Sequence, residues 1–259
     1  MATFKFIKTT SFPAYGGPAN KGTGADGFET GPTRPGRFVI HSISKFSSQR
    51  YKDWSGIKWN TPLRVHNGAV QINTNGIWIN LSKADPSSHW YYNGENKTYE
   101  QQIIDIIQAR YKDLYGISKV PDKWVFNDFG HATIQYFKDL NNNYLLDGKE
   151  FVMGDMIHTT PDNEAATTLQ KPFKLVASHG CVHVRPNDMD QLIASGFVKK
   201  GQVIEIHPYT EITYQLNFQS SLGKPPFELH FFPGCVFNEP GSPYNGNNGT
   251  IIIYSVTAL

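Results

Sequence analysis

Cysteine is scarce in this chain: Cys181 and Cys235 are its only thiols. A disulfide framework is therefore excluded as the main stabiliser, and at most one bridge can form between the two. Long apolar runs are also missing, and nothing approaches the ~20 consecutive apolar residues of a membrane span. Charge of one sign is not gathered anywhere. The formal net charge of +2 is spread over 259 residues without a Lys/Arg block, which gives no case for a nucleic-acid partner. The opening residues, MATFKFIKTTSF, lack the apolar centre of a signal peptide. A cytosolic protein, one exported without a leader and one trimmed of its leader all fit that beginning.

Aromatic residues and turn formers are plentiful. Aromatics make up 14%, with 23 glycines and 16 prolines, beside an apolar fraction of 39% that suffices for a real core. This composition predicts a mainly β, loop-rich chain of one large domain, or one domain with a small appendage. Residues 1–36 read as an extended arm of turns, AYGGPANKGTGADGFETGPTRPG. RFVIHSIS, Arg37 to Ser44, alternates like a strand. AVQINTNGIWINL, Ala69 to Leu81, is a hairpin about Asn75-Gly76. Glu100 to Tyr115 is the clearest helix, with Gly116 where a C-cap glycine belongs. HATIQYF and EFVMGDMIHT are strand-like. PNDMDQLIASG is a short helix that Asn187 or Asp188 can cap and Gly196 can end. QVIEIHP is a closing strand. Residues 209–259 end on GTIIIYSVTAL, a buried-strand pattern that is either part of an extra subdomain or a strand added to the main sheet.

VASHGCVHVR, Val176 to Arg185, packs a serine, two histidines and a cysteine into one short stretch. A thiol attacks as thiolate, and its ordinary pKa is ~8.5, so a nucleophile here needs a base. Gly180 lets the backbone turn, so that the amides near Gly180 and Cys181 can face a developing oxyanion. A base is still needed from elsewhere, because adjacent residues on a strand point to opposite faces, and His158, at the end of GDMIH, is the best candidate.

Ser178-His179-Gly180-Cys181 with an upstream histidine on MIHTT resembles the L,D-transpeptidase catalytic domain, the YkuD-like family. GPTRPGRFVI resembles the family's early strand, and GFVKKGQVIEI its closing strand after the short helix. The resemblance spans roughly residues 30–208. It implies a mainly β, sandwich or barrel-like core with a few helices, and a catalytic domain over 37–208. An insertion or lid at about 45–125 and a C-terminal extension at 209–259 would decorate that core. It implies that Cys181 is the nucleophile and His158 the base, oriented through the carbonyl of Thr159. His179 would shape the site, and the Gly180 and Cys181 amides would serve the oxyanion. Ser178, His183 and Arg185 would contact substrate.

The implied activity is acyl transfer, or L,D-carboxypeptidase hydrolysis, on peptidoglycan stem peptides through a Cys181 thioester, with no metal or organic cofactor required. The implied setting is the bacterial cell envelope, or secretion. The absent leader raises an alternative, an exported antibacterial effector with the same chemistry; a non-catalytic peptidoglycan-binding module is another. Two features depart from the family. Residues 159–177 form a long interval between His158 and Ser178, and His183 stands where Arg or Asn is usual. Asp188 fits the family's acid at the start of the short helix.

Plainer readings compete. Cys235 reads as a small buried hydrophobe. His179, Cys181 and His183 alternate and could join His158 around zinc, but strand neighbours two apart lie ~7 Å from each other, too far without a bend. His41, His66, His89, His131, His207 and His230 read as structural or surface residues, with His131 the most interesting because its strand is expected beside that of His158. DLNNNYLLDGKE, Asp139 to Glu150, fits an EF-hand loop through Asp139, Asn141, Asn143, Asp147 and Glu150, except that Tyr144 replaces the usual glycine; it reads as a polar hairpin loop or a Ca²⁺ site. Trp54, Trp59, Trp78, Trp90, Tyr91 and Tyr92 read as core packing or as the wall of a groove.

Overall fold

The computed structural model describes residues 2–48, 52–86, 90 and 98–259. His89, Tyr91 and Tyr92 lie outside them. The protein is mainly β, with 35% strand against 17% helix. In chain order the first elements are β1 (Phe4–Tyr15), β2 (Gly22–Thr23), β3 (Glu29–Thr30), β4 (Gly36–Ser44), α1 (Lys52–Ser55), β5 (Leu63–His66), β6 (Ala69–Thr74) and β7 (Ile77–Asn80). There follow α2 (Leu81–Ala84), α3 (Tyr99–Tyr115), β8 (Thr133–Phe137), β9 (Val152–His158), α4 (Pro161–Thr168), β10 (Val182–Val184) and α5 (Pro186–Ala194). The chain closes with β11 (Val203–Ile206), β12 (Asn217–Ser220), β13 (Phe227–Val236) and β14 (Asn248–Ala258).

Two compact units divide these elements: Met1–Ser44, Thr133–His158 and Phe173–Leu259 form the first, Lys45–Ala132 and Thr159–Pro172 the second. These limits differ from the expected 1–36, 37–208 and 209–259. The supposed arm contains β1, a twelve-residue strand inside the main sheet, and the tail supplies β12, β13 and β14 to that sheet. The expected insertion at 45–125 falls within the second unit.

The first unit is a ring of strands. Their order is β10-β9-β8-β4-β11-β13-β14-β1, and β1 pairs again with β10, closing the sheet on itself. β1 makes the closure because its free edge is shared. Phe4–Ile7 pair with β12, whereas Ala14 and Tyr15 pair with Val184 and His183. Closure removes exposed sheet edges. The run Ile251-Ile252-Ile253-Tyr254 is fully buried on both faces of β14. Alternate residues point opposite ways, and Ile252 and Tyr254 join Phe6, Phe232, Cys235 and Val256 in one apolar cluster covered by Tyr214 and Phe218.

The second unit packs the β5-β6-β7 meander and α3 around Trp90, Trp124, Phe126, Ile103 and Ile107, with Trp54 beside them. The indole N–H of Trp90 donates to the Asp85 carbonyl at 2.8 Å and that of Trp124 to Trp54 at 3.0 Å, so burial of these rings strands no donor. Trp54, Trp59 and Trp90 are therefore packing residues, whereas Trp78 is half-buried on the hairpin under the Arg64 guanidinium. α3 begins at Thr98, whose hydroxyl accepts from the Gln101 amide, and ends at left-handed Gly116.

Candidate functional site

All the residues in this paragraph belong to the first unit. β9 and β10 run parallel, with Val182 opposite Ile157 and His183 opposite His158. This pairing sets the SHGC turn against the strand that ends in His158. His158 is buried, and its ring centroid lies 4.8 Å from that of His183, edge to face. Cys181 immediately precedes β10. The turn holding it is fixed from three sides. The Ser178 hydroxyl donates to the Cys181 carbonyl at 2.5 Å and accepts from the Gly180 amide at 2.9 Å. Thr33 Oγ1 donates to the same carbonyl at 3.3 Å. Gly180 has φ 152°, a conformation that side chains rarely adopt. Gly17 packs so closely that a Cβ on it would meet the Gly31 carbonyl oxygen at 1.9 Å and Gly180 Cα at 3.0 Å.

The electrostatics restrain the thiol. Burial pushes Cys181 up to about 11, the nearby Asp155 charge adds to that, and a hydrogen bond from the Met156 backbone opposes it. The resting group is a protonated thiol at neutral pH. His183 is neutral too: burial pushes it down to about 4, against the hydrogen bond from its Nδ1 to the Val176 carbonyl at 3.0 Å.

The expected site residues separate into two groups. Ser178, Gly180 and Cys181 share one turn, and His158 packs against His183 on the paired strand. His179 turns away: it is exposed, with Nε2 2.9 Å from Asp26 Oδ2 and its ring edge-on to Phe28. The Asp26 carboxyl is lowered chiefly by that hydrogen bond. Arg185 is held by Asp188, at 2.5 and 2.6 Å, and stacks on Tyr244 at 3.7 Å. Asp188 therefore grips the residue before α5 instead of capping the helix, and neither it nor Asn187 makes a side-chain cap bond. The Gly180 amide, expected to face an oxyanion, donates to Ser178.

In the second unit, Thr159 is fully buried and its hydroxyl donates to Glu164. Glu164 also accepts from the His131 amide at 3.0 Å and from its ring at 2.5 Å.

Sequence reasoning did not find Arg34, Asp155 or Tyr136. Arg34 Nε lies 3.3 Å from Asp155 Oδ2. Burial raises the Asp155 carboxyl, against Arg34. Tyr136 is fully buried, its hydroxyl without a hydrogen-bond partner, and burial raises it far, with Asp155 and Cys181 adding to the shift. Asp155 stands in GDMIH, three residues before His158, and that was the available signal.

Both cysteines are free thiols, so no bridge silences Cys181. Cys235 is a buried packing residue, as expected. The zinc reading fails on direction, since His179 turns outward to Asp26 while His183 is buried. Among the described residues, one trio with metal-ligating spacing is Glu205, Glu228 and His230. It does not fit a cation, because Arg37 already fills it. Arg37 donates to Glu205 at 2.8 Å and to Glu228 at 2.8 and 2.6 Å. A chain of contacts continues from Glu228 to His230 at 3.3 Å, to His207 at 3.0 Å and to Glu211 at 3.0 Å.

Loop 139–150 closes on itself. Asp139 accepts from the Asn141, Asn142 and Tyr144 amides, and Glu150 from those of Leu140 and Asp147. Tyr144 takes φ 61°, the left-handed turn that an EF-hand glycine normally supplies. Asp139, Asn141, Asn143, Asp147 and Glu150 are the residues that could hold Ca²⁺.

No helix of the described residues is long and apolar enough to cross a membrane. Comparisons with protein-family models, curated proteins and solved structures found no match.

Proposed function

We propose that this chain is a cysteine acyltransferase of L,D-transpeptidase type, acting on peptidoglycan stem peptides in the bacterial envelope or after secretion. One observation carries the reading: β9 and β10 lie side by side, His158 ending one strand and Cys181 preceding the other, with His158 and His183 in register. In the mechanism this supports, His158 takes the Cys181 proton as Sγ attacks the donor carbonyl. The high resting pKa of the thiol makes that transfer part of the attack and not a prior ionisation. The Cys181 amide faces the oxyanion, and the Gly180 amide joins it if Ser178 releases it. Collapse breaks the C–N bond, His158 returns the proton to the leaving amine, and a thioester remains. An acceptor amine gives transpeptidation, and water gives carboxypeptidation. Either one adds to the thioester carbonyl, and the thiol is regenerated.

Neutral His183 packs beside His158 and holds its ring without placing a second charge there. A Ca²⁺ ion on loop 139–150 would stabilise the β8–β9 hairpin without entering the chemistry.

The test is product analysis of a disaccharide-tetrapeptide by mass spectrometry. Wild type should release the terminal amino acid or form a cross-linked dimer; Cys181→Ala and His158→Ala should do neither. A second reading, a non-catalytic peptidoglycan-binding module, draws on the raised thiol pKa. Turnover absent from wild type, with sacculus binding equal in wild type and Cys181→Ala, would favour it.

A further inference from the structure

The first unit buries a second set of titratable groups that the acyl-transfer chemistry does not use. Glu211, His207, His230 and Glu228 form one line of contacts. Glu211 Oε2 lies 3.0 Å from His207 Nδ1, His207 Nε2 lies 3.0 Å from His230 Nδ1, and His230 Nε2 lies 3.3 Å from Glu228 Oε2. The two rings overlap at 29° with centroids 5.2 Å apart, and His207 stacks on Phe232 at 3.8 Å. The His230 side chain is 3% exposed and that of Glu228 is fully buried, so solvent does not complete the line at that end.

The proton count follows from the contacts. Every atom in the line offers a lone pair unless it carries a proton, so three contacts need three protons. Two ionised carboxylates bring none and two neutral imidazoles bring two. The complete line therefore holds one extra proton, shared by the ring pair as a single imidazolium. The surroundings favour one such charge. Glu205 on β11, Glu228 on β13 and Glu211 in the loop set three carboxylates against the Arg37 guanidinium on β4. Tyr254 on β14 and Cys235 on β13 stay neutral because burial raises both. From β1 and β12 the pair meets the Phe6 and Phe218 rings. A second charge is opposed, since burial and the neighbouring ring push His207 down, against Glu211.

Loss of the extra proton leaves one contact with two lone pairs and nothing between them. The Glu228 end is fixed by Arg37 and by the Lys224 amide. The Glu211 side chain is 41% exposed and stands at the end of a turn that its own amide closes on the Pro208 carbonyl at 3.0 Å. Water can replace the ring at this end, so this contact opens. The same turn carries Tyr209, whose hydroxyl donates to the Gly17 carbonyl at 2.6 Å and accepts from the Thr33 amide at 3.1 Å. Thr33 Oγ1 in turn accepts from the Gly17 amide at 3.0 Å and donates to the Cys181 carbonyl at 3.3 Å.

We propose that Glu211, His207, His230 and Glu228 form a proton-binding switch. With one proton bound, it pins the 208–211 turn and, through Tyr209 and Thr33, stiffens the frame around Cys181. When the proton leaves, Glu211 swings free and the frame loosens. The switch acts on this frame whether or not Cys181 transfers acyl groups.

The test is NMR of the full chain with ¹⁵N-labelled histidine between about pH 4.5 and 8. The ring pair should carry three N–H groups at low pH and two at high pH, one proton leaving in a single step. Protection of the Thr33 amide from exchange, corrected for the intrinsic pH dependence, should fall about tenfold across that step. Glu211→Gln supplies an amide that donates to a neutral His207, so the pair should lose its proton at lower pH and Thr33 protection should stay high throughout. Glu211→Ala should leave Thr33 at the weakly protected level at every pH. Because Glu211 is partly exposed, both variants should keep the circular dichroism of wild type. Two rings neutral throughout, two rings titrating independently, a Thr33 amide unmoved by the wild-type step, or a Glu211→Gln profile that copies wild type would each overturn the switch.

Discussion

His183 should make the first unit lose stability as the pH falls from 7 to 5. The folded ring has its pKa pushed down to about 4 by burial, whereas an unfolded histidine titrates near ~6.5. Between those values the unfolded chain binds a proton that the folded chain refuses, so stability rises with pH across the window and is lost on acidification. The full difference of ~2.5 pH units amounts to ~3 kcal/mol, of which ~2 kcal/mol falls between pH 7 and pH 5. Other groups titrate there as well, so the comparison is with His183→Asn, which keeps a donor for the Val176 carbonyl but cannot charge. Urea unfolding followed by far-UV circular dichroism at both pH values supplies the difference, and an NMR titration of the ring Cε1–H supplies the pKa itself. The tryptophans all lie in the second unit, so their fluorescence would report the wrong part of the molecule. Equal pH dependence in wild type and variant, or a ring titrating near 6.5, would refute the argument.

Three further outcomes follow from named contacts. Arg37→Met removes the guanidinium from the fully buried Glu228 carboxylate, leaving it the Lys224 amide and His230, and should cost ~3–5 kcal/mol in urea unfolding, with Glu228→Gln in the same chain restoring part of it; a loss under ~1 kcal/mol would contradict the burial argument. Iodoacetamide should label Cys181 very slowly at pH 7 and fast only as the pH nears 11, and Asp155→Asn should move that profile to lower pH; fast labelling at pH 7 would show that burial does not protect the thiol. Millimolar Ca²⁺ should raise Tm and EDTA should reverse the rise, given the left-handed Tyr144 turn; an unchanged Tm would make loop 139–150 a polar hairpin.

Local rules found the local elements. Asn75-Gly76 forms the hairpin at φ 53° and 86°, and Gly116 ends α3 because their backbone conformations are chemical properties of those residues. The α4 helix was missed although Thr160 caps it and Pro161 opens it; eight residues with little periodicity gave too weak a pattern. β1 was hidden in a segment read as turns. Its strand character depends on partners more than 160 residues away, at Ala14–Val184 and Phe12–Ile251, which no window contains. The same limit explains the site. The SHGC stretch and His158 were legible as a motif, because the motif carries its chemistry in sequence. Arg34 and Asp155 were not, because an ion pair between a loop residue and a strand residue far along the chain has no local signature. The expected Gly180 oxyanion amide and the outward role of His179 turned on hydroxyl and carboxylate partners that only tertiary packing supplies.

The most direct test of the central claim is intact-mass spectrometry after incubation with a carbapenem, which acylates the cysteine of the family this chain resembles. Wild type should gain the mass of one drug molecule, and Cys181→Ala and His158→Ala should gain none within the same time. A wild type that stays unmodified while Cys181 remains open to iodoacetamide at high pH would contradict an acyl-transfer site at Cys181.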